Sequence, residues 1–137
     1  MPVSQALIDK SEENWKSCEQ LISTRRHNAA ANRLYFSIFH LVYAEMVCNA
    51  TKEGFSDKDK LGHDSKGKHE LSIRYLAKRN ERIGKNYRKL CALRVKADYS
   101  FELSVTKDEL AECCKYWQSI RRELVENLAS GAERMIL

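Results

Sequence analysis

At 137 residues, 43% apolar and 31% charged, the chain has the size and composition of one globular domain with a real core (residues 1–137). No apolar run approaches the ~20 residues of a membrane span, and "MPVSQALIDKSEENW" lacks the apolar core of a secretory signal, so a cytoplasmic location is expected. The net charge of +5 is uneven: residues 66–96 hold eleven Lys/Arg against Glu70 and Glu81, a local +9, which hints at a polyanionic partner.

One proline and five glycines leave few breakers, and no segment alternates with period two for long enough to be a core strand. The spacing predicts a first helix from Ser4 to Thr24, with Ile8, Ser11, Trp15, Cys18 and Ile22 facing inward. A second helix, from a cap at Asn28 to Asn49, is apolar around most of its circumference, as a central helix is. Its rows are Leu34, Ile38 and Leu41, then Tyr35, Phe39, Val42 and Met46. One narrow stripe differs, made of Ala30, Arg33, Ser37, His40 and Ala44. Residues 50–67 are polar and aperiodic and read as a long mobile loop.

A third helix over 68–80 turns Leu71, Tyr75 and Leu76 inward. The fourth, from Gly84 to Ala97, buries Tyr87, Leu90, Cys91 and either Leu93 or the stem of Arg94. "TKDE" is a capping box, with Thr106 as cap and Glu109 three residues on. It opens a last helix whose seam is Leu110, Cys113, Trp117, Ile120, Leu124 and Leu128, with the tail at 130–137 expected to fray. The expected fold is an all-α antiparallel bundle of four to five helices. The five cysteines are odd in number and lack CxxC spacing, so reduced core thiols are expected.

Arg33 and His40 lie seven apart, on one helix face and about 10 Å apart in rise. A guanidinium among Leu, Phe and Tyr needs an acid, and Asp98 is the candidate. The structural reading is an Arg33–Asp98 pair beside a hydrogen-bonded core histidine. The functional reading makes His40 a general acid–base for a ribose 2'-hydroxyl, with Arg33 stabilising the phosphorane-like charge. Lys78, Arg82, Lys85 and Lys89 recur at 4, 3 and 4, one face if the third and fourth helices are nearly continuous; it reads either as a solvated surface or as an electrostatic, base-independent binding face for RNA or an acidic partner. His63, Asp64 and His69 straddle a loop without ligand spacing, and "HELSI" has Ile73 where a metalloprotease helix needs its second histidine. No metal and no cofactor are expected.

The helix "HNAAANRLYFSIFHLVYAEM", with Arg33, Tyr35, Phe36, Ser37 and Phe39, is followed by His69 and then by "LRVKADY", with Arg94, Ala97, Asp98 and Tyr99. In order and spacing these motifs resemble the HEPN family (higher eukaryotes and prokaryotes nucleotide-binding), in its small stand-alone prokaryotic form, over about residues 5 to 128. The resemblance implies a helical bundle that often forms a homodimer and is often encoded beside a minimal nucleotidyltransferase in toxin–antitoxin pairs. It also implies RNA or nucleotide-linked work. Many relatives are metal-independent ribonucleases with an Arg-x(4–6)-His motif on a late helix; here the one pair with that spacing is Arg33 and His40, on the second. Ser37, Arg94, Asp98 and Tyr99 would support such a site. A non-catalytic module that binds a nucleotidyltransferase or nucleic acid is the alternative. A homodimer is also expected because the small-and-polar stripe and the long last seam exceed what one bundle needs to pack.

Overall fold

The computed structural model describes residues 3–49 and 65–136, with side chains at 4–49 and 67–129. Five helices and no strand occur among the described residues: α1 (Val3–Ser23), α2 (His27–Asn49), α3 (Ser65–Arg79), α4 (Glu81–Tyr99) and α5 (Lys107–Ile136). The all-α bundle is therefore as expected. Most of the expected loop at 50–67 lies outside the described residues, and so do His63, Asp64 and the side chains of 130–137. From Ser65 onward the chain is already helical.

Helix α2 is the hub, packed by α1, α3, α4 and α5. Its two apolar rows are buried throughout, which explains why it is apolar nearly all round. The small-and-polar stripe is used within the chain as well. Ala30, Ser37 and Ala44 are fully buried. The Ser11 hydroxyl donates to the Ser37 carbonyl at 2.7 Å, and the Trp117 indole N–H donates to the Ser37 hydroxyl at 3.2 Å. Ser37 thus ties α1 and α5 to the hub, and the stripe is no longer a reason to expect a second copy. Trp15 stacks on Trp117 with centroids 3.8 Å apart, so aromatic side chains bridge α1 to α5.

The α1–α2 turn is a Schellman motif. Arg26 N–H reaches back to the Leu21 carbonyl and Arg25 N–H to that of Ile22, with Arg25 at φ 60° in the left-handed region. Asn28 does not cap α2 as expected. The helix begins one residue earlier, and the Asn28 side chain accepts from Val105 N–H at 2.8 Å, pinning the α4–α5 connection. The capping box forms reciprocally, Glu109 N–H to the Thr106 hydroxyl and Thr106 N–H to the Glu109 carboxylate, each at 3.1 Å. Ile22, expected inward, is 37% exposed, and Leu21 packs on the core instead.

Helices α3 and α4 are not continuous. Asn80 interrupts them, its side chain accepting from Ile83 N–H, and the chain folds back into a hairpin. The helices approach so closely that a Cβ on Gly84 would lie 2.8 Å from the Ala77 Cα. Lys78 therefore ends one helix while Arg82, Lys85 and Lys89 ride the next, and the four do not form one continuous helical face.

Candidate functional site

Arg33 does not pair with Asp98. The Asp98 carboxylate accepts from Arg94 Nε at 2.9 Å and from the Asn32 amide at 3.0 Å. Arg33 is exposed and its Nη1 donates to the Asn14 side-chain oxygen at 3.3 Å. The physical reason is register: Asp98 is four residues after Arg94 on α4, where a helix makes the pair local. The buried ion pair lies elsewhere. Glu45, fully buried on α2, pairs with Arg79 Nε and accepts from the Tyr75 hydroxyl at 2.7 Å. Its second carboxylate oxygen has no hydrogen-bond partner among the described residues.

Asn14 joins the two residues of the α2 motif. Its oxygen accepts from Arg33, so its amide nitrogen faces the other way, donating to the Lys10 carbonyl at 2.9 Å and contacting His40 Nδ1 at 3.2 Å. Arginine is always protonated, so this orientation is fixed and His40 Nδ1 must accept. The proton of the neutral imidazole is then on Nε2. Burial, helped by the charges of Lys10 and His69, pushes the His40 pKa down to about 4, against a small opposing pull from the Phe36 carbonyl. Neutral His40 is an Nε2–H donor.

His69 is the second histidine of the cluster. Its Nδ1 is hydrogen-bonded to the Tyr35 hydroxyl at 2.5 Å, and that hydroxyl lies 3.4 Å from the Tyr87 hydroxyl. Burial and the nearby Arg94 charge hold His69 below the ordinary histidine range, and burial raises the Tyr35 and Tyr87 hydroxyls, so both phenols stay protonated. His69 stacks on Phe39 at 4.4 Å. The Arg94 guanidinium lies over Tyr35, Phe36 and Tyr99 at 5.3–5.7 Å. The site is thus two neutral histidines and two arginines around an aromatic cluster built by α1, α2, α3 and α4.

The site-supporting residues therefore divide. Arg94, Asp98 and Tyr99 belong to the aromatic side of this cluster, whereas Ser37 is a packing node. Of the basic residues, Lys78 and Arg82 are exposed and form no ion pair among the described residues. Lys85 contacts Glu81 at 3.5 Å, and Lys89 donates to the Tyr116 hydroxyl at 3.1 Å. No group of three or more His, Cys, Asp or Glu side chains that could hold a metal occurs among the described residues. No described helix is long and apolar enough to cross a membrane.

Asn14 was missed in the sequence, whereas His69 was named there without its partners. Asn14 carries a signal in retrospect, because Ser11, Asn14 and Cys18 recur at 3 and 4 and so share one face of α1. His69 has none beyond its place at the start of α3, since its partners Tyr35 and Phe39 lie thirty or more residues away. Compared with known proteins, the chain matches no family model, no curated protein and no solved structure.

Proposed function

We propose that the chain is a HEPN-like bundle that binds RNA or nucleotides through their phosphates, acting as a homodimer beside a partner such as a minimal nucleotidyltransferase. One observation carries the nucleic-acid part. The Arg33–Asn14–His40 relay leaves a guanidinium in solvent and a neutral imidazole with its proton on Nε2 on the same helix. Both are donors that suit phosphate oxygens, and an arginine fork suits them best. The exposed Lys78 and Arg82 add sequence-independent attraction, and the Phe36–Arg94–Tyr99 stack is the kind of platform on which unpaired bases lie.

Cleavage is the second reading, and it asks more of His40. A general base at Nε2 needs a lone pair on the nitrogen that this bonding pattern leaves protonated. Binding is the reading that the geometry favours.

Salt-titrated fluorescence anisotropy on short single-stranded RNAs, run beside a cleavage gel, tests both. Arg33→Ala should weaken binding about tenfold, the worth of one charge-assisted hydrogen bond. Lys78→Glu with Arg82→Glu should weaken all sequences alike and flatten the salt slope. Nitrogen-15 spectra should show His40 as the Nε2–H tautomer at neutral pH. No binding even at about 50 mM salt sinks the proposal, and a cleavage activity abolished by His40→Ala replaces it with the nuclease reading.

A further inference from the structure

Two features are left unused by the packing of the five helices, and their chemistries are opposite. The connection between α4 and α5 carries Tyr99 at 63%, Phe101 at 103% and Leu103 at 62% exposure, with Glu102 among them. Val95, 51% exposed, extends the apolar surface back along α4. This connection is held in place. Leu103 N–H donates to the Ser100 hydroxyl at 3.0 Å, and buried Val105 is tied to Asn28. Large apolar side chains presented on a held loop are the mark of a contact surface, because the ordering cost has been met before any partner arrives.

The second feature is a groove of about 880 Å³ between the end of α1, the start of α2 and the first turns of α5. Ile22, Leu110 and Cys114 supply apolar lining, Arg25, Lys107 and Lys115 supply charge, and no carboxylate lines it among the described residues. None of those three cations makes an ion pair among the described residues. Arg25 holds the left-handed position of the α1–α2 turn, where glycine is the usual and less strained choice.

We infer that a second copy of this chain fills the groove, each copy placing its 99–103 segment on the other. Phe101 and Leu103 meet the Ile22–Leu110–Cys114 lining, and Glu102 meets Lys107 and Lys115. Three observations select a second copy over other occupants. The loop is apolar and acidic where the groove is apolar and basic. The loop ends at the Thr106 cap and the groove begins at Lys107, the next residue, so both halves sit at one end of the bundle, as a two-fold exchange requires. Among the described residues nothing covers Phe101, and the connection that carries it is tied to α2 through Val105 and Asn28. This inference deepens the homodimer part of the proposed function; it shares Tyr99 with the proposed base platform, while Phe101, Glu102, Leu103 and the groove take no part in it.

Reciprocal charge reversal tests it by analytical ultracentrifugation of the full chain at micromolar concentration. The wild-type chain should sediment at about twice its 15.9 kDa. Glu102→Lys alone, and Lys107→Glu with Lys115→Glu, should each weaken the dimer by at least about tenfold. All three positions are exposed, so thermal melts should change little. Mixing the two variants should restore a dimer, because one loop then meets its swapped groove and the other pair is wild type. A monomeric wild-type chain overturns this interface and the homodimer reading together. A dimer indifferent to both variants, or a mixture that stays monomeric, overturns the interface alone. Loss of RNA binding in Lys107→Glu/Lys115→Glu with the dimer intact would assign the groove to phosphate instead.

Discussion

The Glu45–Arg79 pair offers the sharpest test of the packing. Glu45 has no exposed side-chain surface and Arg79 only 17%, so the Glu45 charge cannot return to water without opening the α2–α3 contact. Removing one partner of a buried pair costs about 3–5 kcal/mol, since the other is left uncompensated. The structure makes the two halves unequal. In Arg79→Ala, Glu45 keeps only the Tyr75 hydroxyl, so the loss should fall at about 4 kcal/mol or more. In Glu45→Ala, Arg79 still has Glu123 at 3.4 Å and a path to solvent, so a loss of about 2–3 kcal/mol is expected. The double change Glu45→Leu/Arg79→Met fills the space with apolar volume and should lie within about 1–2 kcal/mol of wild type. Urea unfolding followed by circular dichroism measures all four states as a cycle. Small, additive single losses would refute the pair. Arg33→Ala and Asp98→Ala serve as the contrast: the two residues share no bond, so their losses should be additive and about 1 kcal/mol or less each.

Gly84→Ala should destabilise by about 1–3 kcal/mol despite alanine's helix propensity, because the new methyl meets Ala77 backbone atoms at 2.8 and 3.0 Å; Gly67→Ala, with nothing within 4 Å, should instead stabilise by about 0.5–1 kcal/mol. The same urea titrations check both, and equal effects at the two positions would count against the tight hairpin. The His40 pKa near 4, below an ordinary 6.5, means that the unfolded chain takes up a proton first as pH falls. Stability from this group is therefore intact above pH 6.5, falls between 6.5 and 4, and levels off below. The loss is about 1–3 kcal/mol once partial exposure is allowed for, and subtracting the profile of His40→Gln isolates it.

The fold was readable because the helical period of 3.6 is written plainly in α2 and α5, where every predicted seam residue except the half-buried Leu128 is buried. Helix ends were read less well, for a physical reason. Asn28 and Asn80 both look like caps, but only Asn80 accepts from its own helix, while Asn28 is claimed by a backbone amide seventy-seven residues away. A short polar side chain advertises its ability to cap and not which backbone will take it. Two separate helices were expected around the α3–α4 break, but not how tightly the hairpin closes. Its signals are one asparagine and the single glycine at position 84, whose meaning lies in the backbone that passes beside it.

The misplaced ion pair shows where sequence reasoning about charge runs out. The premise that a charge in an apolar helix needs a partner was sound, but it was applied to the wrong residue. Helix α2 carries two such groups in its apolar span, Arg33 and Glu45, and only the second is buried. Arginine has a long stem that takes its head to the surface, whereas glutamate is too short to follow. Between two charges on a central helix, the shorter side chain is therefore the one expected to need an internal partner. The same asymmetry frees Arg33 for a ligand: its head is exposed, and its bond to Asn14 fixes the His40 tautomer. A side chain that can leave the core without cost to the fold is the one that a binding site can use.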